Sequence, residues 1–82
     1  MELLFSKSAL KEFSRLPSIE KRKAARKIDV LEKEPFIGKK LSGKLRDRKC
    51  LRSWPYRIIY YIKAAKKEIW IEHIIHRQGA YK

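Results

Sequence analysis

Two histidines, one cysteine and a crowd of cations are the side chains here whose types and spacing invite chemistry. His73 and His76 stand three apart, but Cys50 has no second cysteine to join it and no cluster of acids lies nearby. That falls short of a ligand set, so neither a metal nor another cofactor is expected. The cations are the stronger signal. From Gly38 to Lys67 the chain places eleven Lys and Arg, among them Lys39, Lys40, Lys44, Arg46, Arg48, Lys49, Arg52 and Arg57, against the single acid Asp47, a net +10. The preceding 37 residues carry +3 and the last 15 carry zero, in a chain of 82 residues with a formal charge of +13. An excess of this size opposes compaction by self-repulsion and marks a polyanionic partner.

RNA is one such polyanion, and its cleavage without a metal would ask for a base at the ribose 2′-hydroxyl, cations on the phosphate and an acid at the leaving 5′-oxygen. The products are a 2′,3′-cyclic phosphate and a 5′-hydroxyl. Arginine suits the second task, because its planar fork bonds two phosphate oxygens and stays charged. Charge preorganised in this way is usually the largest catalytic contribution. His76 is the conventional proton carrier, with an ordinary pKa of about 6.5. Tyr81 is a less usual one; phenols titrate near about 10, and surrounding cations lower that value by favouring the phenolate. Trp54, beside Pro55, offers a ring for a base to stack on, as single-strand binders do. It suits the edge of a core equally well.

These residues need a frame, and the chain is long enough for one domain, residues 1–82, and not for two. Glu2 to Ser6 reads as a short strand with Ser6 as the cap of a helix over Lys7 to Leu16. Ala9, Leu10, Phe13 and Leu16 are its apolar stripe. Pro17 ends that helix. Ser18 then caps a second helix from Ile19, with Ala24, Ala25, Ile28 and Leu31 facing inward, and Pro35 stops it. Leu45 to Leu51 reads as a strand, Ser53-Trp54-Pro55 as a turn, and Tyr56 to Lys63 as a strand rich in residues that fit a pleated surface. Ala64 to Lys67 turns the chain into a last strand over Glu68 to Arg77. Strand alternation there sets Ile69, Ile71, His73 and Ile75 on one face, and Trp70 and Ile74 on the other. The predicted class is α+β, in the order β-α-α-β-β-β. A two-helix hairpin covers one face of an antiparallel sheet, and the other face is open and cationic.

Three strings in this order resemble the RelE/ParE superfamily of toxins from toxin–antitoxin systems. They are Phe5-Ser-Lys-Ser-Ala-Leu-Lys-Glu-Phe13, Leu51-Arg-Ser-Trp-Pro-Tyr-Arg-Ile-Ile-Tyr60, and Ile74-Ile-His-Arg-Gln-Gly-Ala-Tyr81. Together they span essentially the whole chain. The resemblance implies a RelE-like fold, an acidic antitoxin as partner in a hetero-oligomer, and mRNA on the ribosome as substrate. It implies that Arg57 contacts the scissile phosphate and that Arg77 stabilises the transition state. Tyr81 stacks on a base or moves a proton, and His76 stands beside Arg77 as in several subgroups. Members often carry lysines just before the second string. Arg48 and Lys49 supply cations there, whereas Cys50 departs from the pattern. Lys44, Arg46, Arg48, Lys49, Arg52 and Trp54 are the expected RNA contacts.

Other readings compete. ParE-like members inhibit DNA gyrase and need not keep the Arg57, Arg77 and Tyr81 set, and a basic nucleic-acid-binding module without catalysis needs none of it. Arg57 and Arg77 also suit solvated strand positions, Tyr81 suits a C-terminal anchor, and His73 suits a hydrogen-bonded core. The longest apolar run, Ile58 to Ile62, is too short to cross a membrane, and Met1 to Phe5 is too short for a signal peptide. With a lone cysteine, no internal disulfide forms and the cytoplasm is the expected compartment.

Overall fold

The computed structural model describes residues 1–41, 43 and 47–77. Strand β1 (Glu2–Phe5) leads into α1 (Lys7–Ser14) and α2 (Ser18–Lys33). Then come β2 (Lys39–Lys40), β3 (Lys49–Ser53), β4 (Tyr56–Lys63), a short 3-10 turn (Ala64–Lys66) and β5 (Glu68–His76). The α+β order matches the expected one, and the sheet gains detail. Its strand order is β1-β5-β4-β3-β2; β2 to β5 pair antiparallel, and β1 joins β5 in parallel. A parallel neighbour needs a long crossover, and the rest of the chain between β1 and β5 provides it.

Local chemistry explains the boundaries. Ser6 caps α1, its Oγ accepting from the Ala9 amide at 3.0 Å. Ser18 is the first residue of α2 rather than its cap; Pro17 stands at the cap position and its carbonyl accepts from the Lys21 amide at 2.8 Å. A proline at that point needs no amide donor. Ala9, Leu16, Ala24, Ile28 and Leu31 are buried against the sheet as the spacing predicts, but Leu10 is 57% exposed. The first strand of the meander is seen from Lys49 to Ser53, two residues past its expected end at Leu51; its expected start, Leu45, and Arg46 lie outside the described residues. No helix is long and apolar enough to cross a membrane among the described residues.

One irregularity rearranges the last strand. Ile59 pairs with His73, yet Tyr60 pairs with Ile71, so Glu72 is an extra residue in β5. Such a bulge reverses the alternation beyond it. Ile69, Ile71 and Ile74 therefore share the buried face, and Ile75 is only half-buried. His73 is not the core histidine that strict alternation predicts. Its side chain is 42% exposed, with Nδ1 3.4 Å from the Glu12 carboxylate. The same carboxylate accepts from the Ile74 amide at 2.9 Å, where β1 has already ended. Glu12 thus satisfies a donor that strand pairing leaves open.

Tyr60 ties the core to the connection after α2. It is fully buried, donates to the Pro35 carbonyl at 2.9 Å and accepts from the Gly38 amide at 2.9 Å. Burial raises its pKa above the usual phenol value, against a smaller lowering by the Gly38 amide. A raised folded value means that this contribution to stability is complete below the unfolded pKa of about 10 and is lost as pH climbs through the folded one. Tyr60→Phe is expected to cost about 1–3 kcal/mol at neutral pH, because two backbone groups lose their partner. It is also expected to flatten the alkaline fall in stability. Urea titrations of both proteins from neutral to strongly alkaline pH read both effects.

Candidate functional site

The β3–β4 hairpin and the end of β5 collect most of the described candidates at one end of the sheet. Pairing sets Arg52 directly opposite Arg57, and Arg57 opposite Ile75 on its other side. Two guanidinium-bearing side chains therefore emerge side by side on the face away from the helices. Like charges directly opposite one another on neighbouring strands repel. The turn between the strands carries Trp54, 58% exposed. Arg77 follows β5, its amide donating to the Pro55 carbonyl at 2.9 Å and its guanidinium lying 4.7 Å from the Trp54 ring centroid. Lys23 of α2 reaches the same turn, with Nζ 3.4 Å from the Trp54 carbonyl.

His76 joins this end from the other side. It pairs with Tyr56, and the two rings meet edge to face at 5.4 Å between centroids. By strand alternation Tyr56 faces the helices while Arg57 faces away, so the His76 ring lies on the opposite face from Arg57. Tyr81, Lys44 and Arg46 lie outside the described residues.

The remaining cations divide. Lys49 pairs with Tyr60, which turns it toward the helix side, where its Nζ lies 5.8 Å from the Phe36 ring centroid. Arg48 is held by carboxylates. Its Nε and second terminal nitrogen donate to the two Glu72 oxygens at 2.8 and 3.1 Å, and Asp47 takes the other at 2.8 Å. Its guanidinium also lies 4.1 Å from the Tyr61 ring centroid, and Tyr61 stacks on Trp70. The hydrogen bond to Glu72 raises the Arg48 pKa beyond its already high value. Arg48 lies beside Tyr61, four residues from Arg57 along β4, roughly 13 Å at about 3.3 Å per residue.

The open face is not cationic throughout. Its middle holds Cys50 and Ile59, 7% and 5% exposed, as a cross-strand pair. Cys50 thus fills an apolar position between two charged ends. Sequence reading missed Glu72 and Glu12 altogether. The bulge that aims Glu72 has no signature in alternation, although Glu68 and Glu72, the acids that follow the cationic stretch, were a signal of nearby counter-charge.

No family sequence model and no curated protein matches the chain. Solved structures do. A toxin–antitoxin complex, RelBE2 of Mycobacterium tuberculosis, matches with a TM-score of 0.83 at 24% identity over 93% of this chain and 96% of that one. The isolated E. coli RelE toxin matches at 0.79 and 28% identity, over 92% of this chain and 82% of that one. A mutant of E. coli RelE in complex with a peptide of its antitoxin matches at 0.71 and 30% identity, over 89% and 79%. With the same two-helix cover on the same sheet along nearly its whole length, the chain belongs to the RelE/ParE superfamily of toxins from toxin–antitoxin systems.

Proposed function

We propose that this toxin is a metal-independent endoribonuclease that cuts mRNA on the ribosome and so inhibits translation. The observation that carries the reading is the pairing of Arg52 with Arg57 at the sheet end where Arg77 covers Trp54. A phosphodiester bound across the two paired arginines relieves their repulsion and meets forked donors. In the reaction the 2′-oxygen loses its proton, attacks phosphorus, and the 5′-oxygen leaves with a proton. Arg57 and Arg77 neutralise the charge that builds on the phosphate. Trp54 gives an adjacent base a surface to stack on, and Arg52, with Lys44 and Arg46, holds the flanking backbone; Lys49, turned to the helix side, takes no part. Of the two proton carriers, His76 lies on the face opposite Arg57, so abstraction of the 2′ proton is assigned to Tyr81 and His76 is the alternative. Adding the purified toxin to a translating extract tests this. The expected result is reporter mRNA cut into fragments with 5′-hydroxyl ends; fragments with 5′-phosphates, or none, contradict it.

The partner of such a toxin is an acidic antitoxin. Relatives with this fold were solved as complexes with antitoxins, including RelB-RelE of Methanococcus jannaschii and the archaeal complex of Pyrococcus horikoshii. A formal charge of +13 favours an acidic partner, and the cytoplasm is where mRNA on ribosomes is met. RNA binding itself is expected to depend steeply on salt. Each neutralised phosphate of a single strand contributes about −0.7 to the slope of log K against log salt, so four contacts give about −3. A flat response in a salt titration assigns the charge to some other task.

A further inference from the structure

Arg77 and Trp54 meet at a turn that is fixed from three sides. Ser53, the last residue of β3, is buried and pairs with Tyr56, so Trp54 and Pro55 alone span the turn. Lys23 of α2 lies with Nζ 3.4 Å from the Trp54 carbonyl. The Arg77 amide donates to the Pro55 carbonyl at 2.9 Å, which carries the register one step past the Tyr56–His76 pair. Trp54 is nevertheless 58% exposed, so its ring does not serve to close the core.

That ring touches a guanidinium instead, with Arg77 Cζ 4.7 Å from the ring centroid. Among the described residues no carboxylate pairs with Arg77, in contrast to Arg48, whose fork is closed on Glu72. The difference decides what each arginine can do. A carboxylate takes the in-plane N–H donors that a phosphate needs. An aromatic face attracts the cation through its quadrupole and leaves those donors in place. An arginine at a strand end otherwise samples many rotamers, and charge gathered only at the moment of reaction is less effective than charge already in position. Arg77 also follows Ile75, the partner of Arg57, by two residues, roughly 7 Å along the strand at about 3.3 Å per residue.

We infer that Trp54 is a positioning residue for Arg77: its ring holds the guanidinium near the Arg52–Arg57 pair with the donors open to the phosphate. The role is separate from base stacking, which uses the ring's other face. It rests on the ribonuclease reading for its effect on cleavage, and on the contact alone for the holding.

A mutant cycle separates the two tasks. In single turnovers on ribosomes carrying one mRNA, base stacking sets how much toxin gives half the maximal rate, and the placing of Arg77 sets the maximal rate itself. Trp54→Ala is expected to lower the maximal rate about three- to thirtyfold, the range of a cation–π contact from exposed to desolvated. Trp54→Phe keeps an aromatic face and should retain most of the rate. In an Arg77→Ala background, Trp54→Ala should not lower the maximal rate further, because the two residues act as a unit. The readout independent of cleavage is the NMR resonance of the Arg77 Nε–H group. It is expected to be shifted by the ring current in the wild type and to return to the value of a free arginine in Trp54→Ala. If Trp54→Ala slows the maximal rate by the same factor with or without Arg77, or leaves it unchanged, the ring does not act through Arg77 and the inference is wrong. A wild-type Arg77 resonance at the free value also overturns it. If the wild type cuts no RNA, the ribonuclease reading falls, and the resonance alone decides whether Trp54 holds Arg77.

Discussion

Arg57→Ala and Arg77→Ala are each expected to reduce RNA cleavage at least about a hundredfold, the loss of roughly 3–4 kcal/mol that follows removal of one preorganised donor. Folding should survive. Arg57 sits on the face away from the helices beside Arg52, and Arg77 is exposed at the end of β5. Removing either charge relieves repulsion in a chain of +13. Thermal unfolding should therefore stay close to wild type while cleavage collapses, which separates a site effect from misfolding. Tyr81→Phe completes the series. It keeps the ring and removes the hydroxyl, so a large loss supports proton transfer by Tyr81. Near-normal cleavage makes the ring a stacking surface and moves the proton to His76. Intact cleavage in both arginine variants means that the reacting phosphate binds elsewhere.

The largest expected effect on stability belongs to Gly38→Ala. A methyl group there would meet the Tyr60 hydroxyl at 2.5 Å and a ring carbon at 2.7 Å. Tyr60 is fully buried and cannot swing aside without leaving the core. The substitution therefore combines overpacking, about 1–3 kcal/mol, with strain on two buried hydrogen bonds, about 1–3 kcal/mol more. For a domain of this size each kcal/mol moves Tm by about 4–8 °C, so a fall of 10 °C or more is expected. Calorimetry reads it directly. An unchanged Tm would mean that the Gly38 backbone moves freely and that the Tyr60 contact fixes nothing.

The frame was legible because its signals are local. Ser6 and Pro17 punctuate the helices, Ala24, Ile28 and Leu31 recur at helical spacing, and the strand from Tyr56 to Lys63 has the composition of a half-buried strand. The parallel pairing of β1 with β5 was not legible, since nothing local distinguishes an edge strand that joins its neighbour in parallel. Nor was the bulge. One extra residue at Glu72 moves Ile74 into the core and His73 out to Glu12, a shift that alternation cannot register. The site divides in the same way. Arg52, Trp54, Arg57 and Arg77 gather because a hairpin and a strand end force them together, and a count of residues between them predicts that. The closing of Arg48 on Glu72 depends on a contact between distant elements, which neither the charge pattern nor the resemblance to the family registers.

The central claim is that this toxin arrests growth by cutting mRNA on ribosomes. Inducing it in cells without an antitoxin, mapping RNA 5′ ends and following plasmid supercoiling in the same cultures tests the claim most directly. The expected result is new 5′-hydroxyl ends inside coding regions, absent on induction of Arg57→Ala, with supercoiling unchanged. Intact mRNA together with altered supercoiling would contradict it and identify a gyrase inhibitor on the same fold.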